Sequence, residues 1–136
     1  LARLADALLV VVRDEPASLA DAYGLIKVMH RDFGFQKIEV IVNDTSDARR
    51  AEGVFVRLNE VSMRFLGLPL TLAGVIPHDA SVAQATRRRE MLAQRPESPA
   101  ATALRKIANN IAALPPIVSP QTFLLDRAVA RPAEAS

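Results

Sequence analysis

Residues 74–85 read GVIPHDASVAQA, from Gly74 to Ala85. Val75 and Ile76 close an apolar run that begins at Leu70, Pro77 withholds the next amide from a strand ladder, and Asp79 to Ser81 offer side-chain oxygens on which a helix can start. The segment therefore predicts a strand, a sharp turn and a helix. In open α/β sheets such a junction lies at the carboxyl edge of the sheet, where backbone N–H groups and a helix N-terminus face outward and ligands bind.

Upstream, the same pattern occurs twice more. Ala7 to Val12 (ALLVVV) is a continuous, β-branched-rich apolar run ended by Arg13-Asp14-Glu15 and Pro16, which predicts a strand covered on both faces. Ser18 opens S-x-x-D with Asp21, and Leu19, Ala22, Leu25, Ile26, Met29 and Phe33 recur at helical spacing, so a helix with one buried stripe is expected from Ser18 to Gly34. Lys37 to Asn43 (KIEVIVN) predicts the second strand. Asp44 to Asp47 then supply candidate caps for a helix over residues 46–66, weakened near Gly53. Gly67 and Pro69 break that helix before the third strand, Leu70 to Ile76. The order β-α-β-α-β requires parallel strands and right-handed crossovers, so the fold class is α/β: a three-layer α/β/α arrangement around a parallel sheet.

Downstream, a helix from about Ser81 carries Arg87-Arg88-Arg89, Pro96 and Pro99 bracket a turn, and Ala103, Leu104, Ile107, Ile111 and Leu114 mark a helix over residues 98–114. Pro115-Pro116 ends the compact part. The expected organisation is one domain over residues 1–116 and a tail over residues 117–136, with one apolar patch from Phe123 to Val129. Three parallel strands leave two bare edges, and the chain opens on Leu1 just ahead of an apolar strand, so further strands are expected outside it.

Composition narrows the chemistry. The 136 residues carry a net charge of +2 and no Cys, which excludes thiolate metal sites, a catalytic Cys and disulfides; two His residues cannot build a metal cluster, and no metal site is expected. No apolar run approaches the roughly 18 residues that cross a bilayer. Charge is unevenly placed: up to Ala85 there are 9 Lys or Arg against 11 Asp or Glu, and from Thr86 onward 8 against 4. The basic C-terminal third favours an acidic partner surface such as anionic lipid.

Taken in order, VVVRDEPASLADAYGLIKVMHRDFG, IVNDT and LAGVIPHDASVAQA resemble the C-terminal half of the MinD/ParA group of P-loop ATPases. Within that group the resemblance is to flagellar-number regulators of the FleN or FlhG type. It covers nearly the whole chain and rests on the order and spacing of short motifs. It implies that Asn43 recognises the adenine edge, that Pro77, His78 and Asp79 wall the base, and that Glu15 approaches the nucleotide of a facing subunit. A carboxamide offers adenine both a donor and an acceptor, and Pro gives a flat apolar wall. Asn43 and Asp79 could instead merely cap helices, and Glu15 could be a solvated charge.

The departures from the family are equally informative. No G-x-x-x-x-G-K-[ST] is present, and glycines at 24, 34, 53, 67 and 74 are too scattered for a phosphate cradle. The phosphate grip, the Mg²⁺ ligands and the water-activating loop are missing, so no catalytic residue is expected in this chain. ATP or ADP with Mg is implied only for a complete protein whose phosphate-binding half lies N-terminal. In the tail, TFLLDRAV resembles the family's membrane-targeting amphipathic helix, with Phe123, Leu124, Leu125 and Val129 facing lipid and Arg127 in the aqueous layer. The resemblance thus implies an ATP-dependent homodimer, cytoplasmic and peripheral at the inner face of the membrane, with an anionic membrane surface and a flagellar assembly or regulatory protein as partners and no specific nucleic acid. The alternatives are a non-enzymatic interaction module built on the same sheet and a ParA-type partitioning ATPase.

Overall fold

The computed structural model describes residues 7–114. They form β1 (Leu8–Val12), α1 (Pro16–Arg31), β2 (Ile38–Thr45), α2 (Ala48–Leu66), β3 (Thr71–Pro77), α3 (Ala80–Arg88) and α4 (Pro99–Ala112), with a single 3₁₀ turn at Leu92–Gln94 between the last two helices. The sheet order is β1-β2-β3, and both pairings are parallel, as the two helical crossovers require.

Strand alternation assigns the faces. Val10 and Val12 of β1 lie beside Val40 and Val42 of β2, and this face packs against Ala22 and Ile26 of α1 and Ala51, Val54 and Leu58 of α2. The opposite face carries Ile41 and Ile76, covered by Ala100 and Ile107 of α4. Helices therefore lie on both faces, and the three-layer α/β/α expectation holds. Gly74 makes the second face work: a Cβ there would overlap Ile107 Cγ1 and stand 2.7 Å from Cδ1, so only glycine lets α4 settle this close to β3.

Several local expectations are corrected. α1 starts at Pro16, not Ser18; Pro is suited to the first helical turn, and the Ser18 hydroxyl accepts the Arg13 amide at 2.9 Å instead of capping a helix at that position. Leu25 and Phe33 are 46% exposed, because the buried stripe of α1 consists of Ala22 and Ile26, with Leu19 and Tyr23 partly buried beside them. Leu104, at 40% exposure, likewise sits outside the α4 stripe. α2 runs unbroken through Gly53 and is capped by Asp47, whose carboxylate accepts the Arg50 amide at 2.8 Å. β2 extends to Thr45, two residues past Asn43. As an edge strand β1 shows Leu9 and Val11 43% and 56% exposed on the face opposite α1.

Candidate functional site

The three loops that follow the parallel strands share one edge of the sheet, and side chains tie them together. β2 and β3 pair Asn43 with Ile76 and Thr45 with Pro77, so Asp44 between them is a bulge with φ 58°. Asn and Asp tolerate this left-handed conformation better than other residues with a Cβ. The bulge turns the Asp44 carboxylate toward both neighbouring loops: it accepts from Arg13 Nη2 at 2.7 Å and meets His78 Nδ1 at 2.6 Å. The His78 amide also donates to the Thr45 carbonyl at 2.9 Å. The hydrogen bond with His78 and the Arg13 guanidinium hold the Asp44 carboxyl below the usual carboxylate range.

A second carboxylate fastens α2 to the β1 loop. Asp14 accepts from Arg50 Nε at 2.8 Å and from Arg57 Nη2 at 3.0 Å, joining residues 36 and 43 positions apart. Glu15 pairs with Arg13 at 3.2 Å. Between these groups lies a polar cleft of ≈ 230 Å³ bordered by Arg13, Asp14, Glu15, Asp44, Arg50 and His78. It can take a polar or charged group of small size.

Asp79 has a different occupation. Its carboxylate accepts the Ser81 amide at 2.8 Å, the Ser98 hydroxyl at 2.5 Å and the Ala100 amide at 3.2 Å. The Ser81 and Ser98 side chains, with those two amides, hold it far below the usual carboxylate range. Ser98, 2% exposed, in turn accepts the Ala101 amide at 3.1 Å. One carboxylate therefore caps α3 and, through Ser98, locks the start of α4 beside it. This occupies the side chain, so what Asp79 can still offer a ligand is backbone.

The sequence-derived site residues thus separate into two groups. Glu15 and His78 border the cleft. Asn43, two residues before the end of β2, lies next to the Pro77 end of β3, in register with Ile76 and hence on the face that α4 covers. Asn43 is not the cap of α2, since Asp47 has that task. Arg13, Asp14, Asp44 and Arg50 were not singled out from sequence. Only the Asn43-Asp44 pair at a strand end hinted at them, because such residues accept a left-handed turn. Among the described residues no group of three or more His, Asp or Glu side chains is placed to hold a metal, and no helix is long and apolar enough to cross a membrane. Phe123, Leu124, Leu125, Arg127 and Val129 lie outside the described residues.

No family model matches the chain. Over 138 residues it is 35% identical to the antiactivator FleN of Pseudomonas aeruginosa, a match that takes in 98% of this chain and 49% of that protein. The chain is thus similar along nearly all of its length to about half of FleN. The fold agrees: the MinD cell division protein of Aquifex aeolicus superimposes with a TM-score of 0.65 at 23% identity, covering 87% of this chain and 48% of that one. MinD in the MinC:MinD complex of the same organism gives 0.61 at 23% identity, covering 85% and 46%. The chain therefore spans about half the length of the relatives it matches, and the edge strand β1, with its exposed Leu9 and Val11, presents an unpaired strand edge and an apolar face.

Proposed function

We propose that this chain is the base-binding part of an ATP-dependent, dimerising, membrane-associated switch that regulates flagellar number or placement. The observation that carries the proposal is the pairing of Asn43 with Ile76, which sets a carboxamide beside the Pro77 turn at the carboxyl edge of a parallel sheet while Asp47 relieves Asn43 of any capping duty. Those residues fit the adenine end of a nucleotide: the carboxamide pairs with the base edge, and Pro77 with the backbone of His78 and Asp79 forms a wall whose shape the Asp79 cap maintains. Nothing in the chain fits triphosphate or Mg²⁺, because it has no glycine-rich cradle followed by Lys. Bound in the complete protein, ATP with Mg would supply the energy that separates two states of the switch.

In this scheme Glu15, at the rim of the cleft, faces the nucleotide of a second subunit, and leaves Arg13 to do so. Phe123, Leu124, Leu125 and Val129 anchor the dimer to anionic lipid with Arg127 at the headgroup level. A regulatory protein partner accords with the name antiactivator carried by FleN and with the MinC:MinD complex of the structural relative. The working location is the cytoplasmic side of the membrane.

The experiment is light scattering and vesicle sedimentation of the complete polypeptide that carries this chain. With ATP it should run as a dimer and sediment with anionic vesicles; with ADP it should be monomeric and stay in solution. Leu125→Glu puts a carboxylate into the lipid-facing side and should leave the dimer intact while abolishing sedimentation. A protein that is indifferent to nucleotide in both assays would instead be an interaction module that has kept only the sheet.

A further inference from the structure

The C-terminal end of α3 is a basic knuckle whose arginines make no ion pair among the described residues. Arg87, Arg88 and Arg89 are all exposed, and among the described residues none has a carboxylate within ion-pair distance. Between Ala80 and Arg95 the only acid is Glu90, and it is bonded to Arg95 at 2.7 Å. Arg95 lowers the Glu90 pKa first by that bond, and the charge of Arg88 adds to the effect, so the acid is spent inside the structure. Directly after it Met91 is 67% exposed, the most exposed of the large apolar side chains among the described residues.

Folding alone accounts for only part of this arrangement. Arg87 and Arg88 in the last helical turn complement the helix dipole. Arg89 does not need to be arginine for that purpose: it is the cap residue at φ 56°, a conformation in which glycine or asparagine is less strained. A cation thus stands where the backbone favours another residue, next to a largely exposed apolar side chain.

We infer that Arg87, Arg88, Arg89 and Met91 form a contact for anionic lipid, with the guanidinium groups on headgroup phosphates and Met91 at the acyl boundary. Guanidinium groups bind phosphate through paired N–H donors, and a flexible thioether suits an irregular apolar surface. Affinity for nucleic acid rises with the number of phosphates neutralised, and three cations neutralise few. A bilayer needs fewer charges when an apolar group inserts beside them. The contact lies among the described residues, so it stands whether or not residues 117–136 supply the main anchor, and its variants leave those residues unchanged.

The test is sedimentation of the complete polypeptide with vesicles of equimolar phosphatidylglycerol and phosphatidylcholine, and with phosphatidylcholine alone. The variant is Arg87→Ala with Arg88→Ala and Arg89→Gly; glycine at position 89 relieves the left-handed backbone, so the fold is retained, and an unchanged melting temperature verifies it. Each arginine should contribute about a fivefold change, so the variant should partition on the order of a hundredfold more weakly onto the anionic vesicles. Met91→Ser should weaken binding by several-fold without altering its salt dependence. Equal sedimentation of wild type and the triple variant would overturn the inference. So would a short DNA duplex that displaces the vesicles through the same three arginines, since the surface would then be one for nucleic acid.

Discussion

Substituting Gly74 by alanine tests how the second face of the sheet is built. The backbone at Gly74 is not left-handed, so alanine costs nothing in φ/ψ; the whole effect comes from the added methyl group. That methyl would overlap Ile107 Cγ1 and come within 2.7 Å of Cδ1. Ile107 is 5% exposed and wedged among Ile41, Ile76 and Ala100, so it cannot swing aside without displacing α4. Overpacking of this kind costs about 1 to 3 kcal/mol. For a domain of this size that lowers the melting temperature by about 4 to 12 °C. Ile107→Ala alone should cost about 2 to 5 kcal/mol through the lost methyl groups and the cavity they leave. In the double variant the new alanine methyl enters that cavity, so the two losses should fall short of additivity by at least about 1 kcal/mol. Thermal unfolding followed by circular dichroism gives all three values. A Gly74→Ala protein as stable as wild type, or strict additivity in the double variant, would refute the close approach of α4 to β3.

Three further outcomes follow from the same structure. Ser98→Ala removes the α4 cap and one donor to Asp79, and should lower stability by about 1 to 2 kcal/mol in denaturant titration, with Ser98→Thr partly restoring it. The Asp44 and Asp79 carboxyls are both held below the usual carboxylate range, so their contribution is present above that range and is lost as the pH falls through and beneath it. Acid unfolding should therefore deepen below about pH 4, and Asp79→Asn should flatten that limb of the stability profile. The 136-residue chain should show no ATP hydrolysis above background in a phosphate-release assay, because it has no phosphate cradle.

What the sequence disclosed and what it concealed follow from how local each determinant is. The three strands are written in continuous β-branched runs bounded by Pro and Gly, and the parallel pairing follows from the helical crossovers, so β1, β2 and β3 were readable to within a residue or two at most ends. Helix starts were harder, because a capping side chain has several candidate amides: Ser18 went to Arg13, while Asp79 served Ser81 and also Ala100, 21 residues on. The stripe on α1 was overestimated because burial depends on the crossing of α1 over the sheet, and Leu25 and Phe33 lie beyond that contact. The Asp44 bulge was invisible for a similar reason. It depends on a register shift between β2 and β3, and its partners Arg13 and His78 are 31 and 34 residues away. Asn43 and the Pro77 turn were recognisable because each closes an apolar run, which brings it to or near the carboxyl edge of the sheet, although β2 itself continues to Thr45.

The claim that Asn43 and the Pro77 turn form the base side of a nucleotide site is most directly tested by calorimetric titration of the complete polypeptide, wild type and Asn43→Ala, with ATP and with ADP. Asn43 touches only the base in this account, so the variant should bind both nucleotides more weakly by about 1 to 3 kcal/mol, and by the same factor for each. Identical titrations for wild type and variant, or a loss confined to ATP, would contradict it.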